Sequence, residues 1–177
     1  SKVHLFWGDE RTVPPDHDDS NYRMVAKTLL EGIDIPQHNI HRVEAEREPQ
    51  AAAQNYEDKL RSVFGDELVP SFDLILLGIG DDGHTASLFP HTNALDVEDE
   101  WFVANHVAQL NTWRLTLTKT VINAAQRVVF LVVGEGKADA LREVLNGPYL
   151  PETYPAQLVE QEDGEVVWFV DDAAASL

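Results

Sequence analysis

Short apolar runs alternate with amphipathic segments along the chain, and this alternation predicts its secondary structure. Runs rich in Val, Ile, Leu and Phe predict strands, whereas apolar residues three or four positions apart predict helices. The predicted strands are residues 3–7, 40–43, 72–77, 101–107, 114–117, 127–133, 156–159 and 166–170. The predicted helices are residues 20–31, 49–64, 119–125 and 136–145, with Ser20 as the N-cap of the first. Strands that alternate with helices predict an α/β fold of three layers, in which a largely parallel sheet has helices on both faces.

Chain length and composition narrow the class of protein. At 177 residues, the chain is expected to form one domain, residues 1–177, with a substantial core. No apolar run approaches the ~20 residues that span a bilayer, so we expect no membrane partner. The net charge of −18 argues against a nucleic-acid partner, because a phosphate backbone requires a basic surface. The absence of cysteine excludes disulfides and thiolate-bound metals, and it fits a cytoplasmic enzyme.

The segment richest in candidate catalytic residues follows the predicted strand at residues 72–77. The apolar sequence of that strand predicts that it is buried on both faces. Residues 78–84 have the sequence GIGDDGH. Ligands of open α/β sheets bind beyond the carboxyl ends of the strands, so this segment is expected at a site. It also matches the dinucleotide pattern G-x-G-x-x-G, but two aspartates would repel a pyrophosphate and Pro90 interrupts the helix that should follow. A metal site built from Asp81, Asp82 and His84 and a simple polar turn are the alternatives.

A second polar loop follows the predicted strand at residues 3–7. Residues 8–11 have the sequence GDER, which supplies the acid Asp9 and the cation Arg11. Polar loops after two strands of one sheet can converge on a single crevice. A lone arginine among acids suits an oxyanion or a hydroxyl-rich substrate, whereas a solvated charged turn is the alternative.

Two further cations lie at the starts of predicted elements. Arg114 opens the strand at residues 114–117, and Lys137 lies at the start of the helix at residues 136–145. A lysine is electrostatically unfavourable at a helix N-terminus, and a bound phosphate would remove that conflict. The alternatives are a surface arginine on an edge strand and an ion pair between Lys137 and Glu135.

Taken in order, these motifs resemble those of the 6-phosphogluconolactonases. The matching segments are FWGDERxVP at residues 6–14, DSNY at 19–22, LLGIGxDGHTASLFP at 76–90, RLTLT at 114–118 and GxxK at 134–137. The segment at residues 80–90 is highly specific. The resemblance implies the Rossmann-like fold that these enzymes share with the glucosamine-6-phosphate isomerases. It also implies hydrolysis of 6-phospho-D-glucono-1,5-lactone in the pentose phosphate pathway.

The resemblance implies roles for the residues of the first two loops. His84 would be the general base that takes a proton from the attacking water. Arg11 and nearby backbone N–H groups would hold the developing oxyanion. Either Asp82 or Asp9 would orient the imidazole or the sugar hydroxyls. No metal or organic cofactor is expected, because a base and water suffice for an activated ester.

Arg114 and Lys137 would hold the substrate phosphate. Family members begin with a region that carries a Ser-Gly-Gly-rich phosphate loop, and this sequence contains no such loop. We therefore expect the chain to be truncated at its N-terminus relative to the family, with a phosphate site open on one side. The strand at residues 3–7 is expected to lie beside a gap, or to self-associate with a second copy of the chain.

Two other functions are alternatives to lactone hydrolysis. In the isomerase and deaminase branch of the fold, an acid in an Asn-Glu-Pro stretch follows the histidine motif. Here residues 87–90 have the sequence SLFP, which contains no acid and favours the lactonase. The second alternative is a sugar-phosphate-binding module without turnover.

Overall fold

The computed structural model of the chain describes residues 2–65, 67–161 and 164–176. In these ranges the strands are β1 (Leu5–Phe6), β2 (Asp9–Arg11), β3 (Ile40–His41), β4 (Ile75–Leu77), β5 (Phe102–Val107), β6 (Thr112–Leu117), β7 (Arg127–Val132) and β8 (Glu165–Val170). The α-helices are α1 (Asn21–Thr28), α2 (Pro49–Phe64), α3 (Lys119–Asn123) and α4 (Ala138–Asn146). None of these helices is both long enough and apolar enough to cross a membrane.

The helix boundaries follow local capping signals. Helix α2 has the predicted limits because Pro49 occupies its first turn, the Glu48 side chain accepts from Ala51 N, and Gly65 ends it at a φ of 70°. Ser20 caps α1 as predicted, since its Oγ accepts from Arg23 N. Helix α1 ends earlier than predicted, at Thr28, and a separate 3-10 turn follows it.

Two sequence predictions of strand structure are wrong. The residues predicted as a strand at 156–159 belong mainly to a 3-10 helix, Pro155–Leu158. Residues 9–11, predicted as a loop, form β2, whose three side chains are all charged. Strand β2 exists because it pairs with β6, which lies about a hundred residues further along the chain.

The strands form three sheets, and the α/β fold is confirmed. Strands β1 and β3 pair in parallel, and β4, β7 and β8 form a parallel sheet in the order β4-β7-β8. The third sheet, in the order β2-β6-β5, is antiparallel. Strands β5 and β6 form a hairpin that is closed by a 3-10 turn, Ala108–Leu110, and by Asn111 in the left-handed region. The parallel part of the sheet was predicted, whereas the separate antiparallel sheet was not.

Two buried polar side chains of α2 connect the core to the strands. Tyr56 is fully buried, and its hydroxyl accepts from Trp7 N and donates to His41 O. The Glu57 carboxylate accepts from Trp101 N at 2.9 Å and also contacts Phe102 N. These bonds fix α2 against the residue after β1, against β3 and against the start of β5, and β2 begins two residues after Trp7.

One face of the β4-β7-β8 sheet is apolar and exposed. Leu76, Leu131 and Phe169 extend from neighbouring strands, and Leu131 is in register with Phe169. The prediction that β4 is buried on both faces is therefore wrong for the described part of the chain, since Leu76 is 60% exposed.

Candidate active site

A cleft of about 540 Å³ opens where β2, β6 and the loop after β4 meet. Its lining consists of Asp9, Arg11, Asp81, Asp82, His84, Ala86, Ser87, Phe89, Leu110 and Arg114. Every predicted site residue except Lys137 therefore lines the same cleft. The two polar segments do border one cleft, although residues 9–11 form strand β2 and not a loop, and β1 and β4 belong to different sheets.

The imidazole of His84 is held from two sides. Its Nδ1 lies 2.5 Å from Asp82 Oδ1, and its ring stacks on Phe89 with centroids 4.0 Å apart and an interplanar angle of 20°. An ionised carboxylate only accepts hydrogen bonds, so this contact places the ring proton on Nδ1. The lone pair of Nε2 is then free for proton transfer. Asp82, rather than Asp9, is thus the acid that contacts this imidazole.

Two glycines allow the loop to fold around His84. A Cβ on Gly80 would collide with Nδ1 of His84 and with Asp82 Oδ1. Gly83 has a φ of 78° and packs against Tyr154. The loop is closed by a hydrogen bond from Gly80 N to His84 O at 2.8 Å. Within the G-x-G-x-x-G pattern, Gly80 therefore allows the approach of an imidazole and Gly83 that of Tyr154.

Asp9 is embedded in a different network. Its Oδ2 accepts from Ser87 Oγ at 2.8 Å, and its Oδ1 accepts from Asn21 Nδ2 at 3.1 Å. Burial raises the pKa of Asp9, and the hydrogen bond from Ser87 opposes that rise. Asn105 donates in turn to Ser87 O, and Ser87 N donates to Thr116 Oγ1. This network rigidly presents the Asp9 carboxylate to the cleft.

The sequence alone does not single out Ser87 and Asn21. Both lie inside motif segments, at residues 76–90 and 19–22, but their types alone carry no chemical signal. Only the fold shows that both contact Asp9.

Two guanidinium groups lie next to each other in the cleft. Arg11 and Arg114 are directly opposite in the β2–β6 register. Burial, followed by the charge of Arg11, lowers the pKa of Arg114. Like charges that face each other across a ladder destabilise a sheet. A bound anion would relieve this repulsion, so the pair marks the cleft as a site for anionic ligands.

Lys137 lies at the start of a helix, as predicted, but it does not line the cleft. It lies in a 3-10 turn, Glu135–Lys137, just before α4, and its Nζ donates to Asp81 Oδ1 at 2.7 Å. The alternative of a pair with Glu135 is therefore not what the structure shows. Since Asp81 lines the cleft, Lys137 lies immediately beyond its rim.

Glu10 is the acid of the GDER motif that lies outside the cleft lining. Its side chain is only 2% exposed and accepts from the backbone N–H groups of Arg11, Asn21 and Tyr22 and from Ser20 Oγ. Glu10 therefore has a structural role, since its carboxylate accepts from N–H groups at the start of α1.

The predicted metal alternative gains no support from the described residues, which contain no cluster of three or more His, Asp or Glu side chains arranged to hold an ion. The contact between Asp82 and His84 is instead a two-residue pair.

Comparison with known proteins agrees with this arrangement. The family profile described as glucosamine-6-phosphate isomerases/6-phosphogluconolactonase matches residues 1–168. A 6-phosphogluconolactonase from Synechocystis is 49% identical over 177 residues, which cover 98% of this chain and 72% of that protein. The crystal structure of a protein named devB has a TM-score of 0.90 and 39% identity, covering 99% of this chain and 74% of that one.

A third similarity is to the 6-phosphogluconolactonase from Trypanosoma cruzi. That structure has a TM-score of 0.85 and 29% identity, and the match covers 98% of this chain and 71% of that one. The family profile and these relatives span the cleft and its surrounding strands together. The chain belongs to the family of glucosamine-6-phosphate isomerases and 6-phosphogluconolactonases.

Proposed function

We propose that this chain hydrolyses 6-phospho-D-glucono-1,5-lactone to 6-phosphogluconate, with His84 as the general base. The observation that carries the proposal is the contact between His84 Nδ1 and Asp82 Oδ1, because it leaves Nε2 as the base in the cleft. The 6-phosphogluconolactonases among the relatives support the choice of substrate.

The reaction involves two proton transfers, first from water to His84 and then from His84 to the ring oxygen. His84 Nε2 takes a proton from water as the water oxygen attacks the lactone carbonyl carbon. The carbonyl oxygen becomes an oxyanion, which the guanidinium of Arg11 stabilises. When the ring C–O bond breaks, the imidazolium returns the proton to the departing ring oxygen. Asp82 stabilises the imidazolium between these steps and keeps the ring in one orientation.

The remaining polar groups would position the substrate. Arg114 holds the phosphate, and Lys137 joins it from beyond the rim. The Asp9 carboxylate, fixed by Ser87 and Asn21, accepts hydrogen bonds from sugar hydroxyls. Binding energy from these remote groups holds the carbonyl carbon next to the water that attacks it. Arg11 and Arg114 share one cleft, which suits a small substrate with a ring carbonyl and a phosphate on a one-carbon side arm of the same ring.

The isomerase alternative lacks an acid at the position where that branch of the fold carries one. Residues 87–90 supply Ser87 instead, and its hydroxyl is already bonded to Asp9. A turnover assay beside a binding assay distinguishes the lactonase from a binding module without turnover.

The test is turnover of freshly prepared lactone, with the spontaneous rate subtracted. His84→Ala should lower kcat by ~10²–10⁴-fold, the usual contribution of a general base. His38→Ala is a matched control, because His38 is exposed on a 3-10 turn and does not line the cleft. A His84→Ala variant that keeps most of its kcat would contradict the assignment. A wild type that binds 6-phosphogluconate by calorimetry without turnover would favour the binding module.

A further inference from the structure

We infer that Asp81 tunes the affinity for the substrate phosphate, because its carboxylate pairs with the Lys137 ammonium until the phosphate displaces it. This inference rests on the proposed function and deepens it. Asp81 then acts as an internal competitor for the phosphate site: ligands that carry a dianionic phosphate overcome it, and ligands without a phosphate leave the pair closed.

The geometry of the pair supports an exchange of partners. The Lys137 Nζ to Asp81 Oδ1 distance is 2.7 Å, and Asp81 Oδ1 is the acceptor that the structure gives for this ammonium. The Asp81 side chain is 84% exposed, whereas that of Lys137 is 30% exposed. The carboxylate is thus free to swing into solvent, while the lysine is held near the rim by its own loop.

Asp81 lines the cleft, whereas Lys137 does not, and the two side chains meet at its rim. The ion pair therefore holds the ammonium at the edge of the space that a substrate would fill. Lys137 precedes α4 directly, and the N-terminus of that helix adds positive potential behind the ammonium. The lysine lowers the pKa of Asp81, in keeping with an ionised acid at this place.

The strength of the pair allows displacement. Exposed ion pairs shift an equilibrium by up to about fivefold. A phosphate carries close to two negative charges and three acceptor oxygens, so it binds an ammonium more strongly than a single carboxylate does. Asp81 therefore weakens phosphate binding by a modest factor without preventing it.

Two rival roles for Asp81 would give different results on mutation. If Asp81 only fixes the loop that carries His84, its loss would reduce kcat for every substrate. If Asp81 only adds negative charge near the cleft, its loss would help any anion, and it would do so without Lys137.

The experiment is a double-mutant cycle with Asp81→Asn, Lys137→Met and the combined variant. Each protein is assayed with the phosphorylated lactone and with unphosphorylated gluconolactone. Asp81→Asn should lower KM for the phosphorylated lactone about two- to fivefold, from the size of an exposed pair. It should leave kcat and the unphosphorylated substrate unchanged, and its effect should disappear in the Lys137→Met background. Asp19→Asn is the charge-matched control, since Asp19 lies near Arg114 and its carboxylate pairs with His17.

Three results would overturn the inference: a fall in kcat for both substrates, an effect that persists without Lys137, or an equal effect of Asp19→Asn. Failure of the wild type to hydrolyse the lactone would refute the proposed function instead. In that case, calorimetric titration with inorganic phosphate still tests Asp81, because Asp81→Asn should bind phosphate more tightly than wild type only when Lys137 is present.

Discussion

Glu10→Gln should destabilise the fold, although Glu10 stands between two residues of the cleft. The Glu10 Oε1 atom accepts from Arg11 N and Asn21 N, both at 2.8 Å. Its Oε2 atom accepts from Tyr22 N at 2.8 Å and from Ser20 Oγ at 3.1 Å. Glutamine keeps one of these oxygens and replaces the other with an amide nitrogen, which can only donate.

The cost follows from the number of donors that lose an acceptor. The Ser20 hydroxyl can turn to accept from the new amide, but the N–H of Tyr22 then faces a second donor. A buried N–H without an acceptor costs ~1–3 kcal/mol, and the hydrogen bonds that remain lose the help of the charge. The start of α1 also loses a negative charge, which costs ~0.3–1 kcal/mol. We expect a total of about 2–4 kcal/mol, or a fall in Tm of roughly 5–15 °C for a domain of this size.

Thermal unfolding followed by circular dichroism measures this fall. Glu48→Gln is the matched control, because Glu48 also serves an N-terminal helix end but is exposed and accepts one bond, from Ala51 N. That variant should lose no more than ~1 kcal/mol. Equal melting temperatures for the two variants would refute the structural role assigned to Glu10. So would a Glu10→Gln protein that melts like wild type but loses kcat, because this would place Glu10 in the chemistry.

Two further predictions concern charges in the cleft. Burial raises the pKa of Asp9 above its ordinary 3.8, so its deprotonation opposes folding at any pH above that value. The difference in Tm between Asp9→Asn and wild type should therefore move in favour of the variant between pH 3.8 and pH 7, because the hydrogen bonds that the variant loses cost the same at both pH values; a difference that is the same at both would contradict this. Arg114→Ala should raise KM for the phosphorylated lactone by about tenfold, while its KM for gluconolactone stays near wild type. Equal losses with both substrates would show that Arg114 serves folding.

The sequence predicts well those helices and strands whose ends are marked by capping residues, proline or glycine. Helix α2 has its predicted limits because Pro49 and Gly65 mark its ends. Strand β2 cannot be predicted in this way. Its side chains are charged, and its extended form depends on hydrogen bonds to β6, a segment distant in the sequence.

The contacts in the site are likewise of two kinds, those within a short motif and those between distant segments. His84 and Asp82 are two residues apart, so a short motif contains their whole contact. The contact between Asp9 and Ser87 joins separate loops, and nothing near either residue in the sequence indicates it. Nearness in the sequence suggests Glu135 as a partner of Lys137, yet the fold brings Asp81 to this lysine from the loop after β4.

The β5–β6 hairpin turn has a consequence for loop engineering. Exposed turns usually tolerate insertions, because little packs against them. This turn, which ends at Asn111, instead sets the register of β6 against β5, and Arg114 and Thr116 of β6 contribute to the cleft and to its support. One added residue would turn each later side chain of β6 to the other face of the sheet, unless a longer loop or a bulge absorbed it. The length of this turn is therefore tied to the geometry of the cleft to which β6 contributes.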